Sequence, residues 1–277
     1  TSVTTDRTIL GGVTDRKPDG SITGTDGEEH VEGGAGNDDI DAGGGDDQID
    51  TGGGADVIDA GAGNDVIYLE ADGIYSSLYR AARIEWIDET TSVNAEEVAL
   101  AGKNRFLDVI DGNADYDTVI LTDDRRGDGF FLHDFLNEFN SAIEKDGPSS
   151  YVVDGNGGSG TARVAGVERI LGGAGDDIID LTSPDFVVSN VEIRGNGGSD
   201  ILWGNDGNDI LDGGLGVDIL AGGRGSDVFV VRSGEGVTSI DLADHIRDFK
   251  IGEDGIALAG GLSFSDVKIE AIGSGSD

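Results

Sequence analysis

The chain has no cysteine, no methionine and only three prolines among its 277 residues. Without cysteine there can be no disulfide, no thiolate metal site and no cysteine nucleophile. The lack of methionine, even at position 1, points to a segment of a longer protein. Basic residues are also scarce: 18 Lys and Arg face 56 Asp and Glu, for a formal net charge of −38. Nucleic-acid partners are excluded, because their binders need basic surface. No apolar run is long enough to span a membrane, and no N-terminal signal peptide is seen. The three histidines, His30, His133 and His245, form no H-E-x-x-H, and there is no G-x-S-x-G elbow. His133 followed by Asp134 reads as a solvated helix face, not an acid–base pair. The sequence names no catalytic residue and no organic cofactor.

What the chain has in abundance is glycine, 49 residues of it. From Gly24 to Tyr68 a nine-residue unit repeats without a gap: GTDGEEHVE, GGAGNDDID, AGGGDDQID, TGGGADVID, AGAGNDVIY. Four more units start at Gly195, Gly204, Gly213 and Gly222, and lone copies start at Gly112 and Gly172. The consensus is G-G-x-G-x-D-x-U-x, with U a large apolar residue. A disordered Gly-Asp linker would not keep an apolar residue at every eighth place.

Each place has a physical reason. Places one to four turn the chain through backbone angles that side chains resist, and such a turn aims carbonyl oxygens inward. Place six adds an Asp carboxylate. Places seven to nine form a short strand with place eight in the core: Ile40, Ile49, Ile58, Ile67, Leu202, Leu211, Leu220 and Phe229. Two units make one winding, so turns stack in two columns, one along each edge. Stacked carbonyls and carboxylates suit Ca²⁺, which takes ~6–8 oxygens, whereas Zn²⁺ would want His or Cys. The predicted fold is mainly β: a calcium-stabilised parallel β-roll, or β-solenoid, with two α/β insertions.

These units resemble the RTX, or hemolysin-type, calcium-binding repeats. The resemblance implies several Ca²⁺ ions, each held by the place-six Asp of two stacked turns. It also implies carbonyls from places one and three of the earlier turn and places two and four of the later. Carried over, one set is Gly33, Ala35, Asp38, Gly52, Gly54 and Asp56. A second is Ala42, Gly44, Asp47, Gly61, Gly63 and Asp65. A third is Gly195, Gly197, Asp200, Gly214, Gly216 and Asp218, and a fourth is Gly204, Asp206, Asp209, Gly223, Gly225 and Asp227. The Gly172 and Gly195 turns, 23 residues apart, imply Gly172, Ala174, Asp177, Asn196, Gly198 and Asp200. Asp117 fills place six of the lone Gly112 copy. The first unit departs from the pattern, with Glu29 where Asp belongs.

The expected organisation is a leader strand or linker (1–23), a first array (24–68), an insertion region with helices (69–165), a second array (166–232) and a capping segment (233–277). Within the insertion region, 69–106 and 122–165 break the repeat around the lone copy 112–120. Helices are expected at Ser76 to Trp86 and at Phe131 to Glu144, where Phe131, Leu132, Phe135, Leu136, Phe139 and Ile143 recur at helical spacing. Turn parity favours one interrupted roll, with two rolls flanking an α+β domain as the rival. Trp203, at place nine, faces outward on this register, to pack under an insertion or to stack on a sugar or peptide. The stretch Asp244 to Leu258 is similar to the region that follows RTX arrays in type I-secreted proteins. It also serves as a strand pair closing the roll. The resemblance implies a bacterial protein, secreted or on the cell surface, of adhesin type. Its expected partners are neighbouring domains of the longer chain, and its candidate ligand is a cell-surface peptide or glycan. The alternative is an auxiliary module of a polysaccharide-modifying exoenzyme.

Overall fold

A computed structural model describes residues 7–10, 19–53, 56–69, 108–121, 129–132, 164–181, 188, 190–233 and 243–267. In these residues the chain winds as parallel strands numbered in chain order. One long sheet holds, side by side, β1 (Arg7–Leu10), β3 (Glu29–Glu32), β5 (Gln48–Gly52), β7 (Val66–Leu69), β9 (Thr118–Leu121), β12 (Arg169–Leu171), β14 (Glu192–Arg194), β16 (Ile210–Asp212), β18 (Val228–Arg232) and β20 (Gly255–Ala259). The intervening strands make two shorter sheets. One runs from β2 (Asp19–Thr25) through β4 (Asn37–Gly43), β6 (Val57–Asp59) and β8 (Val109–Asp111) to β11 (Val164–Ala165). The other runs from β10 (Gly129–Phe131) through β13 (Ile178–Asp180), β15 (Ile201–Trp203) and β17 (Ile219–Ala221) to β19 (His245–Ile246). The long sheet passes through both arrays, so the arrays are windings of one roll.

The period follows from side-chain alternation. Place eight points inward, and its residues stack on their counterparts in the next winding: Ile40 on Ile58, Ile49 on Ile67, Leu202 on Leu220, Leu211 on Phe229. All eight are 0–2% exposed and belong to one apolar cluster. Burying each such side chain stabilises the roll by about 1.5–3 kcal/mol. The stacking continues where the sequence is interrupted. Ile58 pairs with Ile110, and Ile67 with Val119, across the segment from 70 to 107. Val119 then pairs with Ile170, and Ile170 with Ile193.

Two sequence expectations are corrected, and the choice left open at Trp203 is decided. The Phe131 start of the second helix falls on β10, because Gly129–Phe131 pair with Ile178–Asp180 and the Leu132 N–H donates to the Asp180 carbonyl. Val164–Ala165, assigned to the insertion region, pair with Ile110 and Asp111 inside the roll. Trp203 is 1% exposed; it is packed, so it offers no face to a sugar. Residues 76–86, 133–144 and the glycine-rich 155–160 lie outside the described residues.

Candidate metal centres

The turns between strands stack in two columns, and the place-six carboxylates make a ladder in each. In the first column the Asp38 N–H donates to Asp56 Oδ1 at 2.8 Å, and the Asp56 N–H to Asp108 Oδ1 at 2.7 Å. Further along, Asp177 donates to Asp200, Asp200 to Asp218 and Asp218 to Asp244, at 2.7, 2.8 and 2.9 Å. In the second column Glu29 donates to Asp47, Asp47 to Asp65 and Asp65 to Asp117, each at 2.8 Å. Asp117 donates to Glu168 Oε2, Val191 to Asp209, Asp209 to Asp227, and Asp227 to Asp254. One carboxylate oxygen of each rung thus holds the preceding winding.

The other oxygen is the informative one. Oδ2 of Asp47, Asp56, Asp65, Asp117 and Asp200 is buried and has no hydrogen-bond partner. These five side chains are 0–1% exposed. A buried charged oxygen without a partner is costly, and here the cost recurs at successive levels. Burial first, then the neighbouring carboxylates, pushes the acids upward: Asp47, Asp56 and Asp117 to about 7 and Asp200 to about 8. Burial likewise raises Asp209 to about 6, with Asp227 adding to it, and raises Asp65 and Asp227. The fold therefore leaves paired, desolvated carboxylates needing positive charge.

Backbone oxygens complete the cradle. The Gly53 N–H donates to the Gly34 carbonyl at 2.8 Å, and the Gly36 N–H to the Gly53 carbonyl at 2.6 Å. The same pair of bonds joins Leu215 to Asn196 and Gly198 to Leu215. Place two of the earlier turn thus faces forward, and place three of the later turn faces back. Places one and four obey the same rule. A Cβ on Gly33 would sit 2.4 Å from the Thr51 carbonyl oxygen, and one on Gly63 would sit 1.9 Å from that of Gly45. A side chain at either place would fill the cradle.

This reverses the carbonyl assignment carried over from the resemblance. Between two stacked turns, the facing carbonyls are places two and four of the earlier turn and one and three of the later. For the first level they belong to Gly34, Gly36, Thr51 and Gly53. For inner turns such as Gly195–Asp200 the predicted residues, Gly195, Asn196, Gly197 and Gly198, all still face an ion level, but with the opposite neighbour. The predicted turn pairs themselves are stacked: Ala35 bridges Gly53, Gly44 bridges Ala62, Gly197 bridges Leu215 and Asp206 bridges Arg224. Gly54 lies outside the described residues. The Gly172 carbonyl accepts the Asn196 side-chain amide at 2.7 Å. Glu29 departs from the other rungs in that both its carboxylate oxygens bond Thr25, through the backbone N–H and the hydroxyl.

Several rungs were not read from the sequence. Asp108, Glu168, Asp244 and Asp254 occupy place six without a glycine-rich consensus before them. The lone Gly112 copy carries Asn113 and Asp115 at places two and four, with φ of 69° and 84°. Both residues tolerate the left-handed region that glycine fills elsewhere.

The donor set fits calcium. Among the described residues no three His, Cys, Asp or Glu side chains converge; each level offers two Asp carboxylates and a ring of carbonyls, a hard all-oxygen environment. A divalent cation bound there would supply the positive charge that the inward oxygens lack. The fold and its two ladders define a calcium-binding β-roll. The chain carries the RTX calcium-binding nonapeptide repeat in four copies, matched over residues 23–58, 49–72, 164–181 and 194–229. No curated protein gives a significant match. RTX nonapeptide repeats bind calcium ions.

Removing one rung tests the ladder. Asp56→Ala deletes an inward oxygen and leaves the Asp38 N–H without its acceptor, a loss of about 1–3 kcal/mol. Asp50→Ala removes an exposed carboxylate at place nine that accepts the Gly52 N–H at 3.2 Å. The calcium midpoint of Asp56→Ala should rise about tenfold or more, while Asp50→Ala should stay near the parent. Equal midpoints in a calcium titration would remove Asp56 from the site.

Proposed function

We propose that this chain is a folding switch for a secreted or surface-exposed bacterial protein of adhesin type. It stays expanded where calcium is scarce and winds into a roll where calcium is abundant. The observation that carries this reading is the run of buried, unpartnered Asp Oδ2 atoms in both columns. In a chain of net charge −38, winding brings like charges together and takes them out of water. Calcium binding and folding are then one event. The ions lie between successive turns, held by the two rung carboxylates and the facing carbonyls. RTX proteins typically leave the cell by type I secretion, and an unfolded precursor suits passage through a channel.

The module itself carries out no reaction on this reading. Its partners are neighbouring domains of a longer chain, and no nucleic acid. No helix among the described residues is long and apolar enough to cross a membrane. A second reading has support in the topology: the segments 70–107 and 133–163, which separate β7 from β8 and β10 from β11, are the candidates for holding a cell-surface peptide or glycan.

Circular dichroism during a calcium titration, with magnesium as control, tests the switch. We expect a cooperative coil-to-β transition with calcium and none with magnesium. A chain already fully β in excess chelator would refute it.

A further inference from the structure

The roll does not stop where the recognisable repeats stop. Residues 249–257 read Phe-Lys-Ile-Gly-Glu-Asp-Gly-Ile-Ala and form one more, degenerate unit. Gly252 sits at place four with φ 92°. Asp254 sits at place six and accepts the Asp227 N–H at 3.0 Å. Ile256 sits at place eight and pairs with Phe229. This turn therefore stacks on the Gly222 turn through the same place-six rung as the rest of the second column, while its own backbone closes with the Lys250 carbonyl accepting the Glu253 and Asp254 N–H groups. Its place two, glycine or a small polar residue in the regular units of that column, is Lys250.

Lys250 occupies that level. Its Nζ donates to the Gly223 carbonyl at 2.5 Å. Gly223 is place two of the earlier turn, so this carbonyl is one that would face an ion between Asp227 and Asp254. At the equivalent positions below, the Gly34, Asn196 and Asn205 carbonyls accept a backbone N–H from the next turn; here an ammonium takes that role. The Lys250 N–H also donates to Asp254 Oδ2 at 2.6 Å, as the Asn205 N–H does to Asp209 Oδ2 in the same column. Asp248 adds a clamp, accepting the Gly222 and Gly223 N–H groups at 3.0 and 2.7 Å. The last level has its positive charge attached to the chain.

We propose that Lys250 is a tethered cation that takes the place of calcium at the Asp227–Asp254 level. It sets where the column of ions ends. It also lets the terminal winding close without calcium, giving the ion-dependent windings a formed edge on which to stack. An ammonium matches this role because it is a compact charge with three donors on a flexible stem. Forming the first winding of a solenoid is its slow, unfavourable step, and each later one adds to an existing neighbour.

The test compares the whole chain with its Lys250→Gln and Lys250→Arg variants. Isothermal titration gives the number of calcium ions bound at saturation. Hydrogen exchange in chelator follows the Asp227 and Gly255 amides, which donate to Asp254 and to Asp227 respectively. In the parent these amides should be protected without calcium, while those of Asp47 and Asp200 exchange freely. Lys250→Gln should lose that protection and bind one more calcium than the parent, which restores it. Lys250→Arg should keep the parent's ion number. A Lys250→Gln chain that binds the same number of ions as the parent, or that calcium cannot fold at all, overturns the proposal.

Discussion

Ile58→Asp should abolish compact folding of the first array even in saturating calcium. Ile58 is 1% exposed in β6 and stacks between Ile40 and Ile110. An Asp there is a charge with no partner in the apolar core, at a cost of about 3–5 kcal/mol or more. Calcium cannot relieve it, because the ions lie at the turn edges and place eight points away from them. The damage should also spread. Each winding of a solenoid contacts only its neighbours, so a broken one interrupts propagation. Ile58→Val, which trims a methylene, should cost only about 0.5–1.5 kcal/mol. Calorimetry with excess calcium distinguishes the two; an Ile58→Asp melt superimposable on the parent's would mean that the register of place eight is wrong.

The second large effect is an inverted dependence on pH. In the ion-free roll Asp47, Asp56 and Asp117 are raised to about 7 and Asp200 to about 8, against about 3.9 in an unfolded chain. Between these limits the folded form binds more protons than the unfolded form. Its stability is therefore greatest in acid and falls as pH rises from about 4 towards 8. Protons partly substitute for calcium. A calcium-free sample should gain β structure and shrink when taken from pH 8 to pH 5. Calcium added near pH 7 should release protons, and its apparent affinity should weaken towards pH 5. A far-UV spectrum of the calcium-free chain that is flat across that range would contradict this account. Ordinary acid-labile proteins, whose paired carboxylates titrate low, behave in the opposite way.

The core was legible in the sequence because it rests on one strict rule. A large apolar residue at place eight has only one inward direction in a three-residue strand, and Ile40 through Phe229 all take it. The place-six ladder was legible for the same reason. What the sequence hid was direction and disguise. Every turn repeats the same residues, so nothing in their order says whether a given carbonyl faces the winding before or after; that depends on backbone angles, and the carried-over assignment had it reversed. Asp108 and Asp244 were missed because the residues before them lack the glycines that mark a turn, and Asp254 because its turn keeps only one, Gly252. Phe130, 0% exposed in β10, belongs to no nonapeptide. Its neighbours Phe131 and Leu132 mimic helical spacing, and only pairing with β13 reveals a strand.

The two returns to the roll share an address. The segments 70–107 and 133–163 both end where the chain enters the first of the shorter sheets. It rejoins the first of the shorter sheets near Ile110 and at Val164, which are partners on β8 and β11. The C-terminal ends of two segments far apart in sequence thus lie side by side, separated by one strand spacing of about 4.8 Å. The roll works there as a jig: it fixes the gap between two grafts whatever their length. The Asp56–Asp108 rung, just before β8, ties this address to one level of the carboxylate ladder. The spacing of the two re-entry points is set by the roll itself.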